Sequence, residues 1–246
     1  MSYKLILCDG DSWTAGDLLD PKLEKRGITH INDERNDKYR LPKVWPYKLG
    51  KLCGIEVKNN SVAGSSNDGI VRRILDTIPK LLKQYKPEEL CVIIGWSSPE
   101  RKDFFKTYLK YFWNIEEFSN RYIEHNLLLH HYLENLGIKH YFFNAFYESS
   151  GENFNGSLYE KYFINKRRGL PDVFSVGLVE ELVFEEFKNI FQKNFIQISF
   201  KKFCDNVGPR WRDRYVMNHP NENMHTKWSE YIYKQLFTED GYFYGN

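Results

Sequence analysis

Short apolar runs that alternate with helix-period segments constrain this chain more than any other feature. Residues 3–8, 90–94 and 138–143 are mainly apolar stretches bounded by turn-forming or charged residues, and read as strands, with 55–57 a further short one. Runs without polar alternation suit strands buried on both faces, as in parallel sheets. Between them, residues 44–53 carry apolar side chains at helical spacing and stop at Gly54, a suitable left-handed helix end. Residues 70–85 place Ile70, Ile74, Leu75, Ile78, Leu81 and Leu82 on one stripe, with Pro79 expected to kink or split the helix. A long helix is expected over 116–136, ending at Gly137, and a last one over 222–237 with Met224, Trp228, Ile232 and Leu236 on its apolar face. The alternation predicts an α/β protein, a central parallel sheet between two layers of helices.

The polar stretch 19–40 has no clean period and reads as a long loop over one edge of the sheet. From 147 to 197 the alternation is lost, and this part reads as a helical and loop insertion within a single domain spanning 1–246.

The 35 basic and 33 acidic residues nearly cancel to a net charge of +2, which gives no electrostatic case for nucleic acid or an anionic membrane. The runs Lys166-Arg167-Arg168 and Arg210-Trp211-Arg212 read as solvated surface. Cys8, Cys53, Cys91 and Cys204 are scattered without a C-x-x-C pair, so neither a zinc site nor a disulfide framework is expected. No apolar segment approaches the ~18 to 20 residues that span a bilayer, and the first apolar run is too short for a signal peptide, so a cytoplasmic protein is expected. Aromatic residues reach 17%, which fits either a stacking surface for sugars or a usage bias towards Tyr and Phe.

Four segments carry candidate chemistry. Cys8-Asp9-Gly10-Asp11-Ser12-Trp13 brings a serine hydroxyl to the carboxyl end of the first strand, where open α/β sheets place ligands. Ser12 can equally cap the turn that follows. Ser61-Val62-Ala63-Gly64-Ser65-Ser66-Asn67 offers a glycine whose backbone N–H can approach a substrate oxygen, and also a helix cap. Gly95-Trp96-Ser97-Ser98-Pro99-Glu100-Arg101 follows a strand and supplies polar donors plus a cation suited to a carboxylate or phosphate. His219-Pro220-Asn221-Glu222-Asn223-Met224-His225 sets His219 on a loop before the last helix and His225 within its first turns. A serine hydroxyl is a weak nucleophile that needs such a base and donors for the oxyanion formed in acyl transfer.

Together, GDSW, N-x-S-x-A-G-x-S-N, GWSSPER and HPNENMH resemble the sequence blocks of the SGNH (GDSL-type) hydrolases, and are most similar to the variants common in bacteriophage genomes. The resemblance implies a flavodoxin-like three-layer α/β/α sandwich. It implies a serine esterase or deacylase that needs no cofactor and acts on a small-molecule or carbohydrate ester, such as an O-acetyl group. The cytoplasm would then be that of an infected cell. Position by position, it makes Ser12 the nucleophile and first oxyanion donor, Gly64 a second donor and His219 the base. Ser97 stands where the family has an asparagine donor, with Asn67 a candidate replacement and Arg101 a candidate substrate contact. The family's aspartate three residues before the histidine is here Val216. Asp213 or Asp205 would have to orient His219, or a backbone carbonyl would do so in a Ser-His dyad. Two other readings fit the same residues: a catalytically impaired binding or virion-assembly module, favoured by Val216 and Ser97, and an acyltransferase using the same Ser/His pair.

Overall fold

The structure, a computed structural model, describes residues 3–17, 34–98, 101, 115–146, 186, 189–190, 192–207, 210, 214–216 and 218–239. Four strands form its centre: β1 (Leu5–Asp9), β2 (Glu56–Asn59), β3 (Leu90–Trp96) and β4 (Lys139–Asn144). They lie in the order β2-β1-β3-β4 and every pairing is parallel. The helices described are α1 (Ser12–Ala15), α2 (Glu34–Arg40), α3 (Trp45–Cys53), α4 (Asn67–Leu81), α5 (Ile115–Asn135), α6 (Phe200–Val207) and α7 (Glu222–Phe237). A small antiparallel pair, β5 (Tyr215–Val216) and β6 (His219–Pro220), precedes α7.

The strand period of two divides the core between the faces of the sheet. Leu5 and Leu7 of β1 join Val92 and Ile94 of β3 in a cluster with Ile70, Ile74 and Ile78 of α4 and Leu129 and Leu133 of α5. Ile6, Cys8, Cys91 and Ile93 face the other way, towards Trp45 and Leu49 of α3 and Met224, Trp228, Ile232 and Leu236 of α7. This is the expected α/β/α sandwich. The four buried α7 side chains, each worth about 1.5–3 kcal/mol when fully buried, dock the helix that follows β6.

The chain leaves β1 for β2 on one side and β3 on the other, so the order reverses between β1 and β3. Crevices at such a reversal, outside the carboxyl ends of the strands, are where open α/β sheets bind ligands.

Two expectations need adjustment, and a third lies outside the described residues. Pro79 neither splits nor ends α4 directly, since the helix runs on to Leu81. The expected loop over 19–40 contains α2, whose Arg40 is buried and donates to the Ala15 carbonyl and, at 2.6 Å, to Asp37. Most of the expected insertion over 147–197 lies outside the described residues. Among the described residues the aromatics are mostly buried or half-buried: Trp228 stacks on Phe200 at 4.8 Å, Trp13 meets Phe200 edge-on at 5.6 Å, and Tyr39 is the one exposed large aromatic.

Gly10, directly after β1, has no room for a side chain. A Cβ there would lie 2.5 Å from the Thr14 hydroxyl and 2.9 Å from the Gly95 carbonyl oxygen, so β1's exit and β3's end touch through backbone. Gly10→Ala is expected to cost about 1–3 kcal/mol by overpacking, read as a lower urea midpoint at unchanged slope. A midpoint equal to wild type would show that the two strand ends are not packed in this way.

Candidate active site

α1 is too short to persist by itself and is held from outside. Asp11 caps its start, accepting from the Trp13 N–H at 3.0 Å. Gly16, in the left-handed region at φ 75°, closes its end, with the Gly16 and Asp17 N–H groups both donating to the Ser12 carbonyl at 2.9 Å. The Thr14 carbonyl accepts from the Asn59 amide of β2 at 3.0 Å, and the Ala15 carbonyl from Arg40 of α2. Ser12 thus stands at the first position of a clamped turn, buried, at the carboxyl end of β1.

Asp9, fully buried at the end of β1, sits in the fork of Arg73 from α4. Nη2 donates at 2.6 Å, and Nε reaches the two carboxylate oxygens at 3.2 and 3.1 Å. The same guanidinium donates to the Gly10 carbonyl at 3.2 Å and the Ser65 hydroxyl at 2.9 Å. One side chain therefore ties together β1, the turn before Ser12, the loop after β2 and α4. Burial raises the Asp9 carboxyl from its ordinary value of 3.8 to about 6, with Arg73 and the Gly10 N–H pulling the other way.

The loop after β2 runs alongside this turn, with Asn60 N–H donating to the Cys8 carbonyl at 2.9 Å and Val62 N–H to the Gly10 carbonyl at 3.2 Å. Gly64 adopts φ 77°, a conformation that glycine takes without penalty, and Ser66 caps α4 by accepting from Gly69 N–H at 3.3 Å.

The third segment is committed to internal bonds. The Ser97 hydroxyl, expected to face an oxyanion, donates to Asp11 at 3.0 Å, and its N–H donates to the Asn67 side-chain oxygen at 2.9 Å. The Asn67 amide returns a bond to the Ser97 carbonyl at 3.2 Å, so Asn67 ties α4 to β3. Arg101, about a third exposed, pairs with Asp11 at 3.1 Å and lies over the Phe146 ring at 5.3 Å. Burial raises the Asp11 carboxyl, against the Trp13 N–H, Arg101, Ser97 and His219, which all favour its charged form.

His219 arrives on the β5–β6 hairpin. Asn218 has φ 68°, the one positive value at a non-glycine among the described residues, and asparagine tolerates this turn conformation better than most. Across the hairpin Val216 is the register partner of His219. The imidazole Nε2 lies 3.1 Å from the Ser12 hydroxyl oxygen, closing a contact over 207 residues of sequence. Asp17, not singled out from the sequence, has a carboxylate oxygen 3.8 Å from the same nitrogen. This contact falls on Nε2, the nitrogen that also meets Ser12, and not on Nδ1, where an acid would fix the tautomer.

Of the candidate orienting acids, Asp213 lies outside the described residues. Asp205 is engaged elsewhere, with Lys201 at 2.6 Å, the Tyr215 hydroxyl at 2.9 Å and Arg214 at 3.2 Å. His225 is buried, accepts from Trp45 N–H at 3.3 Å through Nδ1, and is pushed down to about 3 chiefly by burial. It is a neutral core histidine joining α7 to α3.

No family model matches the chain, and no curated protein sequence matches it. Solved structures are similar to it at low identity. A structure described as a carbohydrate esterase active site with divergent catalytic and non-catalytic binding functions shares 16% identity at a TM-score of 0.51, covering 93% of this chain and 63% of that one. The psychrotrophic esterase EstA from Pseudoalteromonas sp. shares 15% identity at a TM-score of 0.48, covering 94% of each chain. A member of the lipolytic protein G-D-S-L family from Veillonella parvula DSM 2008 shares 14% identity at 0.47, covering 96% of this chain and 98% of that one. At these identities the likeness is one of fold.

The Asp9–Arg73 pair generates a pH test. The folded pKa of about 6 lies above 3.8, so the stability linked to this group is complete below about 3.8 and is lost as pH rises through about 6. Arg73→Met removes the counterion and pushes that loss further. It is expected to cost about 3–5 kcal/mol at pH 8, where Asp9 must ionise or take up a proton, and clearly less at pH 5, where it is already neutral. Equal costs by urea unfolding at the two pH values would show that Asp9 is not the partner that matters.

Proposed function

We propose that this chain is a serine esterase or deacylase of the SGNH type, with Ser12 as nucleophile and His219 as general base. The observation that carries the reading is the 3.1 Å approach of His219 Nε2 to the Ser12 hydroxyl, at the strand-order reversal. The resemblance of the four sequence blocks supports it from the other side.

In this reaction the Ser12 oxygen attacks the ester carbonyl as His219 takes its proton, and the tetrahedral oxyanion accepts from the Ser12 and Gly64 N–H groups. The imidazolium returns the proton to the leaving alcohol. Water, activated by the same imidazole, then releases the acyl group from Ser12. No step requires a metal or an organic cofactor.

The substrate we favour is a small acyl ester on a carbohydrate, such as an O-acetyl group. The fold shared with a carbohydrate esterase fits this. A bacteriophage-type variant acting in the cytoplasm belongs to the same reading and rests on the sequence blocks alone. Arg101 at the rim offers a charge for a substrate carboxylate, at the expense of its bond to Asp11.

A second reading, an SGNH-fold binding module with impaired catalysis, draws on two observations. The Ser97 hydroxyl is spent on Asp11, and Val216 rather than an acid faces His219 across the hairpin. A fluorophosphonate probe separates the two, because only an activated serine labels. Labelling of wild type but not of Ser12→Ala, with a loss of at least about a thousandfold in p-nitrophenyl acetate turnover at unchanged melting temperature, is the outcome expected for an esterase. Wild-type activity in Ser12→Ala or in His219→Ala would remove these residues from the mechanism. An unlabelled wild type would leave the binding module.

The orienting acid has its own test. Val216→Asp places a carboxylate opposite His219 and is expected to raise turnover several-fold if the imidazole lacks such a partner. Asp213→Asn is expected to lower turnover by less than Ser12→Ala does, since a dyad keeps part of the rate. A fall with Val216→Asp, together with a loss in Asp213→Asn as large as in Ser12→Ala, would assign Asp213 as an indispensable third member.

A further inference from the structure

We propose that His130, Glu134 and His140 form a binding site for a divalent transition-metal ion, with zinc the best match, that ties α5 to the amino-terminal end of β4. The site is separate from the one around Ser12. Ser12 lies beyond the carboxyl end of β1, whereas His140 of β4 lies level with Leu7 in mid-β1 and two strands away.

Two observations carry the inference. His130 and Glu134 are one turn apart on α5, so both can face β4, and one ligand atom from each of the three residues lies within 4.8 Å of the others. Tetrahedral zinc with bonds of about 2.0–2.2 Å needs ligand atoms roughly 3.3–3.6 Å apart. The His130 Nδ1 and His140 Nε2 atoms are already 2.9 Å apart and have only to spread slightly. Glu134 is exposed, so its carboxylate can swing in without leaving a packed position.

The second observation is the tautomer of His140. Its Nδ1 lies 2.9 Å from the Ile138 carbonyl oxygen, which can only accept, so Nδ1 carries the hydrogen and Nε2 presents its lone pair to His130 and Glu134. A backbone carbonyl on the far nitrogen is the arrangement that orients metal-binding histidines. His130 Nδ1 supplies the hydrogen in the present His-His bond. On binding an ion it would give up that hydrogen while Nε2 takes one on, and the ring would stay neutral.

His131, next in sequence, is turned to Glu186 at 2.8 Å and serves as a control. The three residue types, two imidazoles and one carboxylate, suit zinc or cobalt better than magnesium or calcium, which prefer all-oxygen shells. With two ligands on α5 and one on β4, the ion would clamp the turn at Gly137, a structural role that leaves the chemistry at Ser12 unaffected.

The test uses tag-free, full-length protein stripped with chelator and titrated with Co²⁺ as a spectroscopic probe, then with Zn²⁺ in competition. The expected result is one saturable Co²⁺ per chain with the intense visible bands of a four-coordinate ion, displaced by Zn²⁺ and not by Mg²⁺. A rise in melting temperature with Zn²⁺ is expected alongside. Glu134→Ala, at an exposed position that should not disturb folding, and His130→Ala are each expected to weaken Co²⁺ binding by more than about 100-fold, because removing even an outer-shell partner costs 10–100-fold. His131→Ala should bind as wild type. Absence of saturable binding, a weak octahedral spectrum only, or wild-type affinity in Glu134→Ala would overturn the proposal, as would loss of binding in His131→Ala.

Discussion

A carboxylate buried away from water must be answered by a cation, and Asp9 is answered by Arg73 in a way that organises everything near Ser12. The guanidinium holds both carboxylate oxygens and has donors left for the Gly10 carbonyl and the Ser65 hydroxyl. Its geometry suits this, since a planar fork of five N–H groups can serve several acceptors at once, which a lysine ammonium cannot do with the same fixed directions. The turn that presents Ser12 and the loop that contains Gly64 are thereby referred to one rigid group on α4. A buried ion pair is a poor source of net stability, so its value here is positional.

Much of the fold was legible because burial on both faces of a parallel sheet forces long apolar runs, and burial on one face of a helix forces a stripe. β1, β3, β4 and the stripe of α7 fall where those two patterns place them. Two-residue strands carry no pattern, so the β5–β6 hairpin was invisible, although Asn218 offered a turn signal. α2 was lost in a run of charged residues for a related reason: no apolar stripe marks it, and its anchor is the buried Arg40 side chain.

The site was legible in part. Ser12, Gly64 and His219 could be named from local motifs, but a motif says nothing of which atoms meet. The hydrogen-bond partners are set by the fold as a whole. Arg73 is an ordinary basic residue on a helix until the fold brings it against Asp9, and Asp17 lies outside every motif. Ser97 shows the converse, a residue at a suggestive position whose hydroxyl satisfies a buried carboxylate. Once Asp11 is taken out of water it must find donors, and Ser97, Arg101 and the Trp13 N–H are the ones in reach.

The contact between Ser12 and His219 spans 207 residues. That separation has a consequence in time. A ribosome adding about 5–20 residues per second needs about 10–40 s to travel from one to the other, and β1 with its turn is made long before the hairpin that carries the histidine. Closing so large a loop is entropically demanding and comes late in folding. The α7 stripe that docks on the sheet is what compensates that ordering. Through synthesis the serine therefore waits beside an incomplete neighbourhood, without its imidazole partner. The Ser12–His219 pairing exists only once both segments have been made, and a nascent fragment that ends before the hairpin lacks it.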